Sequence, residues 1–204
     1  SDGTLFVDGS SGGTDDGTLD GESAIGTGTF TQANIDAGHL LYSHDGSETT
    51  SDSFEFNLSD GNGGSVTGKT FSIMVSSVND APTMTTDARS LDSIGEDDTA
   101  SSGTAVNTIL GSAGSSRDAE GATLGVAVTD VDDTDGTWEY STDGGSSWST
   151  VSSTSPSDSN ALLLADDDYL RFVPNADFAG SADGSVIIRA WDQTTGSAGN
   201  TVDT

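Results

Sequence analysis

Apolar and polar residues alternate with the period of a strand along much of this chain. Ser53–Ser59 reads apolar at every second position, placing Phe54, Phe56 and Leu58 on one face, and Lys69–Val78 does the same with Phe71, Ile73 and Val75. Asp60-Gly61-Asn62-Gly63-Gly64 between them is a hairpin signal. Earlier, Thr4–Val7 and His39–Tyr42 read as short strands, separated by a glycine-rich loop (Ser10–Gly21) and a helical turn over Phe30–Gly38. In that turn Thr31 is the cap and Gly38 the stop. Asn79-Asp80-Ala81-Pro82 breaks the pattern, because proline cannot donate to a ladder and holds its neighbour extended. Beyond it Thr104–Leu110, Leu124–Val128, Gly136–Ser141, Ser147-Trp148, Ala161–Leu164, Tyr169–Val173 and Ser185–Trp191 read as further strands, with a turn at Asp143-Gly144-Gly145. The expectation is an all-β chain of two domains, residues 1–80 and 81–204, each a β-sandwich.

Composition narrows that picture. Only 31% of residues are hydrophobic, which suits the thin core between two sheets about 10 Å apart better than a helical bundle. The net charge of −29 rests on 34 acidic residues against Lys69, Arg89, Arg117, Arg171 and Arg189. Nucleic acid and anionic membranes are repelled by such a surface, so neither is an expected partner. Low hydrophobicity with high charge also marks disorder, yet here the apolar residues are clustered at strand spacing rather than scattered. Cysteine is absent, which removes disulfides and thiolate metal sites. An extracellular protein without disulfides needs another staple, and oxygen-ligated hard cations fit the acid excess. No apolar run reaches the roughly 18 residues that a spanning helix needs.

Gly3-Thr4-Leu5-Phe6-Val7-Asp8-Gly9, Phe30–Gly38, Tyr42-Ser43-His44-Asp45-Gly46, Asp52–Phe56 and Asp60–Gly64 resemble the chondroitin-sulfate-proteoglycan-type repeat. That repeat is a cadherin-like sandwich of giant bacterial surface adhesins. Val78–Pro82 is similar to the linker such arrays use. Gly125–Thr129, Gly136–Ser141, Arg171–Asn175 and Arg189–Gly196 resemble a second cadherin-like repeat from the same kind of protein. The resemblance implies two tandem cadherin-like (Ig-like) sandwiches, the first expected to lack its opening strands and the second its last. It implies a calcium-stiffened extender of an extracellular adhesin, partnered by neighbouring repeats. A cell-surface glycan or protein target, or copies of the same chain joined by strand exchange, are the alternatives.

Cadherin-like arrays place calcium where repeats meet, and the chain has the parts. Asn79 and Asp80 lie in the linker, and Asp118 and Glu120, two apart in a loop, can face one ion. By resemblance Asp192 closes that set, Glu96 and Asp97 serve a following junction, and Asp60 serves a preceding one. Asp130, Asp132, Asp133 and Asp135 form another acid loop without the spacing of an EF-hand.

Catalytic readings find little support. Ser141-Thr142-Asp143-Gly144-Gly145-Ser146-Ser147-Trp148 fits the Asp-box pattern, a hairpin device. Gly9-Ser10-Ser11-Gly12-Gly13 satisfies G-x-S-x-G formally, without the strand-to-helix elbow the motif requires. His39 and His44, the two imidazoles, have no nucleophile at an interpretable spacing, and no carboxylate pair stands out for glycoside hydrolysis. The chain is therefore expected not to be an enzyme. Trp138, Tyr140, Trp148, Tyr169 and Trp191 are either core residues or a sugar-stacking platform, with Trp138 and Tyr140 on one strand face favouring core.

Overall fold

A computed structural model describes residues 2–7, 23–85, 91–111, 116–181 and 186–204. The Ser10–Gly21 loop, the Gly9–Gly13 motif and Ser185 lie outside them. The chain divides into two compact units, Ser1–Val78 and Asn79–Thr204.

The first unit holds β1 (Gly3–Val7), β2 (Ser23–Ala24), α1 (Gln32–Asp36), β3 (Leu40–His44), β4 (Ser51–Ser59) and β5 (Ser65–Met74). Its sheets are antiparallel, β2-β1-β3 and the β4-β5 hairpin. α1 begins as its sequence requires. The Thr31 hydroxyl accepts the Asn34 backbone N–H and the Asn34 side chain accepts that of Thr31, a reciprocal capping box. In the hairpin Phe54 stacks on Phe71 across the ladder, centroids 5.2 Å apart. Leu58 and Phe71, each on the apolar face of its strand, remain 58% and 54% exposed. None of the described residues of this unit is fully buried.

The second unit contains the real core. It comprises β6 (Thr83–Met84), β7 (Thr104–Ala105), α2 (Val106–Leu110), β8 (Ser116–Arg117), β9 (Gly125–Val131), β10 (Gly136–Ser141), β11 (Ser149–Thr150), a 3-10 turn (Val151–Thr154), β12 (Ala161–Leu164), β13 (Tyr169–Pro174), β14 (Val186–Trp191) and β15 (Thr201–Val202). Two four-stranded antiparallel sheets, β11-β10-β13-β7 and β14-β9-β12-β15, contribute to one apolar cluster. Val126, Val128, Leu162 and Leu164 enter it from one sheet, and Trp138, Leu170 and Phe172 from the other. β12 is buried on both faces, which is why it reads as unbroken Ala-Leu-Leu-Leu.

The expected strand over Thr104–Leu110 extends only to Ala105; from Val106 the chain is helical. Val106, Ile109 and Leu110, spaced i, i+3 and i+4, all turn onto the core. Backbone carbonyls replace a side-chain cap, for the Val106 and Asn107 amides donate to the Asp168 and Asp166 carbonyls at 2.9 Å each. Tertiary partners thus decide the conformation against the β preference of Val, Thr and Ile. The strand expected at Ser147-Trp148 begins instead at Ser149.

Candidate metal centre

β6 pairs with β8, Thr83 opposite Arg117 and Met84 opposite Ser116. This ladder lays the residues just before Pro82 beside the loop that follows β8. That loop turns tightly: the Ala122 amide donates to Asp118 Oδ1 at 2.8 Å and the Gly121 amide to the Asp118 carbonyl at 3.3 Å. The Asp80 amide donates to Glu120 Oε1 at 3.2 Å, and carboxylate oxygens of the two residues lie within 4.8 Å of each other.

Asp192 follows β14 and is buried. Its Oδ1 accepts from the Thr194 amide and hydroxyl at 3.0 and 2.8 Å, and its Oδ2 accepts from Asn79 Nδ2 at 2.8 Å. The Asn79 hydrogen bond is the chief reason that its carboxyl titrates below the usual aspartate range. Consecutive linker residues therefore reach two different acids, Asn79 to Asp192 and Asp80 to Glu120. Asp118 Oδ2 is buried and has no hydrogen-bond partner among the described residues. Asp118 also lines an open cavity of about 420 Å³ together with Asn107, Arg117, Thr123 and Asp166.

Among the described residues no lysine or arginine pairs with Asp80, Asp118, Glu120 or Asp192; the ion pairs to arginine are Arg171–Glu139 and Arg189–Asp158. A buried carboxylate oxygen without a donor among the described residues is costly. Asp80 and Glu120 offer oxygens within 4.8 Å of each other, and no carboxylate oxygen of Asp118 or Asp192 lies within that distance of both. Oxygen donors of this kind suit a hard divalent cation and not a soft one.

The remaining expected ligands sit elsewhere. Asp60 is at the β4–β5 turn, its Oδ1 accepting the Asn62 and Gly64 amides at 2.7 and 2.9 Å. Glu96 and Asp97 are exposed in a turn where the Asp98 amide bonds to the Gly95 carbonyl. In the acid loop Asp132 holds the Thr134 amide at 2.9 Å and Asp133 the Trp138 amide at 3.1 Å, so these carboxylates brace their own backbone.

Two further polar residues carry no clear signal in the sequence. Gln193, in a left-handed conformation (φ 60°), donates to the Thr123 carbonyl at 3.0 Å and reaches Asp166 at 3.3 Å, tying the Asp192 turn to the cavity rim. Asp168 is buried, its Oδ2 accepting the Ala165 amide at 2.7 Å, and burial pushes its carboxyl upward. A run of three aspartates reads as a solvated loop; only its position in the short gap between two strands hints at a tight turn.

The aromatic residues are not gathered on an open surface. Trp138 is buried, tilted on Phe172 at 5.1 Å, and Trp191 is buried with its indole N–H on the Thr195 carbonyl at 2.8 Å. Trp148 has the Arg171 guanidinium 4.0 Å above its ring, and Arg171 in turn pairs with Glu139 at 2.6 Å. Gly103, with φ +72°, lies against the same ring; a Cβ there would come within 2.5 Å of it.

Small antiparallel sheets joined by acid-bearing loops make this a mostly-β chain. Residues 11–75 match the family model described as cadherin-like, a stretch that falls within the first unit. No curated protein and no solved structure matches the chain. Among the described residues no helix is long and apolar enough to cross a membrane.

Proposed function

We propose that this chain is a calcium-stiffened, non-catalytic segment of an extracellular bacterial adhesin, built of two tandem cadherin-like sandwiches and projecting a binding surface away from the cell. The cadherin-like match over residues 11–75 supports an extracellular, adhesion-related module. The single observation that carries the calcium reading is the buried Oδ2 of Asp118, without a hydrogen-bond partner among the described residues, in a loop whose Glu120 engages the Asp80 amide. Asn79, Asp80, Asp118, Glu120 and Asp192 would hold the ion. Bound calcium supplies positive charge that neutralises their mutual repulsion. Asp192 stays oriented by Thr194, and the Asp118 loop by the Ala122 amide.

Extracellular sites of this kind bind with dissociation constants on the order of 10⁻⁴–10⁻³ M. At tenfold excess one such ion adds about 1.4 kcal/mol, so its main effect is geometric. An ion shared by linker and loop limits how far the linker bends, and a stiff array holds a distal domain outward. Calorimetric titration with calcium, paired with thermal unfolding in calcium and in chelator, tests the reading. Binding heat and a raised Tm are expected, and both should vanish in the Asp118→Asn/Asp192→Asn double variant. A chain that takes up no calcium at millimolar concentration would end it.

A further inference from the structure

We infer that Asn62 is a self-modification site, whose side-chain amide is lost to water through attack by the Gly63 backbone nitrogen, loosening the β4–β5 hairpin with time. Of the eight asparagines in the chain, Asn62 is the one followed by glycine. Glycine matters twice at this step. It has no Cβ to hinder approach of its nitrogen to the neighbouring side chain, and Gly63 sits at φ +99°, a conformation other residues resist. Asn62 and Gly63 are both exposed, so water and hydroxide reach them.

The hydrogen bonds around the turn single out this peptide bond. The Asn62 amide donates to Asp60 Oδ1 at 2.7 Å, the Gly64 amide to the same oxygen at 2.9 Å, and the Gly61 amide to Ser59 Oγ at 3.3 Å. Gly63 N–H, between them, has no partner among the described residues. An N–H facing water without an acceptor is the one free to give up its proton. The Asn62 amide group is held only by a long contact, Nδ2 to the Asp60 carbonyl at 3.3 Å. Asn79, Asn160 and Asn175, by contrast, donate at 2.8, 2.6 and 2.9 Å to groups distant in sequence or across a turn.

The reaction needs no co-reactant but water. Gly63 N forms a bond to Asn62 Cγ, closing a five-membered imide. The Cγ–Nδ2 bond breaks, and the nitrogen leaves as ammonia with the proton that Gly63 gave up. Water then opens the ring. Cleavage of the new Cγ–N bond yields aspartate, and cleavage of the original backbone C–N bond yields isoaspartate, in which the main chain runs through Cβ. Either product adds a carboxylate beside Asp60, where like charges disfavour each other. Isoaspartate also lengthens the loop that the Asp60 amide and Gly64 carbonyl close at 3.1 Å. With so little of the first unit fully buried, that turn carries much of the hairpin's register.

The intact chain is to be held at mildly alkaline pH and mapped by peptide mass spectrometry, with a synthetic Leu58–Val66 peptide and the Asn62→Gln variant alongside. Expected in the intact chain are aspartate and isoaspartate products at the Asn62 position and unchanged amides at the other seven asparagines. No reaction is expected in the variant, whose side chain would have to close a larger ring. Faster hydrogen exchange at the Asp60 amide should accompany conversion. The inference fails if the intact chain keeps its Asn62 amide while the peptide loses it, if neither reacts, or if the other asparagines react at the same rate.

Discussion

Asn79 donates from Nδ2 to Asp192 Oδ2 at 2.8 Å, joining residues 113 positions apart, and this bond is what chiefly holds the Asp192 carboxyl below its ordinary pKa. A carboxyl depressed in the folded state contributes stability above its unfolded pKa, and that contribution is lost as pH falls through the folded value. Asn79→Ala should therefore raise the Asp192 pKa and remove part of the second unit's stability at neutral pH. The pH dependence of the Asp192 carboxyl carbon shift checks this directly. No movement in the variant would mean that Thr194 alone sets the charge.

Tyr42 gives the opposite sign. Burial first, then the hydrogen bond from its hydroxyl to Asp52 Oδ2 at 2.9 Å and the charge of Asp52, push its phenol up to about 12. The native state keeps the proton longer than the unfolded chain, so stability persists below about pH 10 and falls as pH rises towards 12. Ultraviolet titration should show one tyrosine ionising late, and Tyr42→Phe should abolish that step. The same variant leaves the Asp2 and Ser53 amides on Asp52, at 3.2 and 2.7 Å.

Strand periodicity and turn chemistry make most elements legible. The Asp60–Gly64 turn, the Thr31-capped helix and the strands at Gly136–Ser141 and Tyr169–Val173 follow from local signals. The helix at Val106–Leu110 does not, although Val106, Ile109 and Leu110 carry its spacing. Five residues are too few to outweigh β-branched propensity without the Asp166 and Asp168 carbonyls. Arg171 illustrates a second limit. Its contacts with Glu139, Trp148 and the Ser101 carbonyl depend on the β10–β13 register, which places Glu139 opposite Arg171. Linker position and loop spacing name Asp80, Asp118 and Glu120 as candidates and a resemblance adds Asp192, but that Asn79 meets Asp192 and Asp80 meets Glu120 is set by tertiary structure.

The second unit's dependence on β12 yields a magnitude. Leu162 is fully buried between Val128 on one neighbouring strand and Thr201 on the other, inside the cluster that both sheets share. Leu162→Ala should cost about 2–5 kcal/mol, the transfer of the lost methyl groups plus a cavity. Urea unfolding followed by tryptophan fluorescence measures it, Trp138 and Trp191 both being buried in this unit. By contrast Leu58→Ala, at a residue already 58% exposed, should fall within about 0.5 kcal/mol.

The hairpin before Trp148 should respond to acid through one side chain. Asp143 Oδ1 accepts the Ser141 hydroxyl at 2.7 Å and the Ser147 amide at 2.8 Å, while Oδ2 accepts the Ser147 hydroxyl at 2.6 Å. The Ser141 oxygen takes the Gly145 amide at 2.9 Å, and the Gly145 carbonyl takes the Trp148 indole N–H at 3.1 Å. The bonds from Ser147 lead the set that lowers the Asp143 pKa to about 2. Its support is complete above the ordinary aspartate value near 3.8 and disappears as pH falls towards 2. Hydrogen exchange at Ser147 and Gly145 should therefore speed up only in strong acid in the natural chain, and already at neutral pH in Asp143→Ala. Asp143→Asn separates charge from geometry: its one carbonyl oxygen can keep the Ser147 amide, but its NH₂ group cannot accept the Ser147 hydroxyl. An Asn variant as protected as the natural chain from neutral pH down to pH 2 would show that shape, not charge, holds this turn.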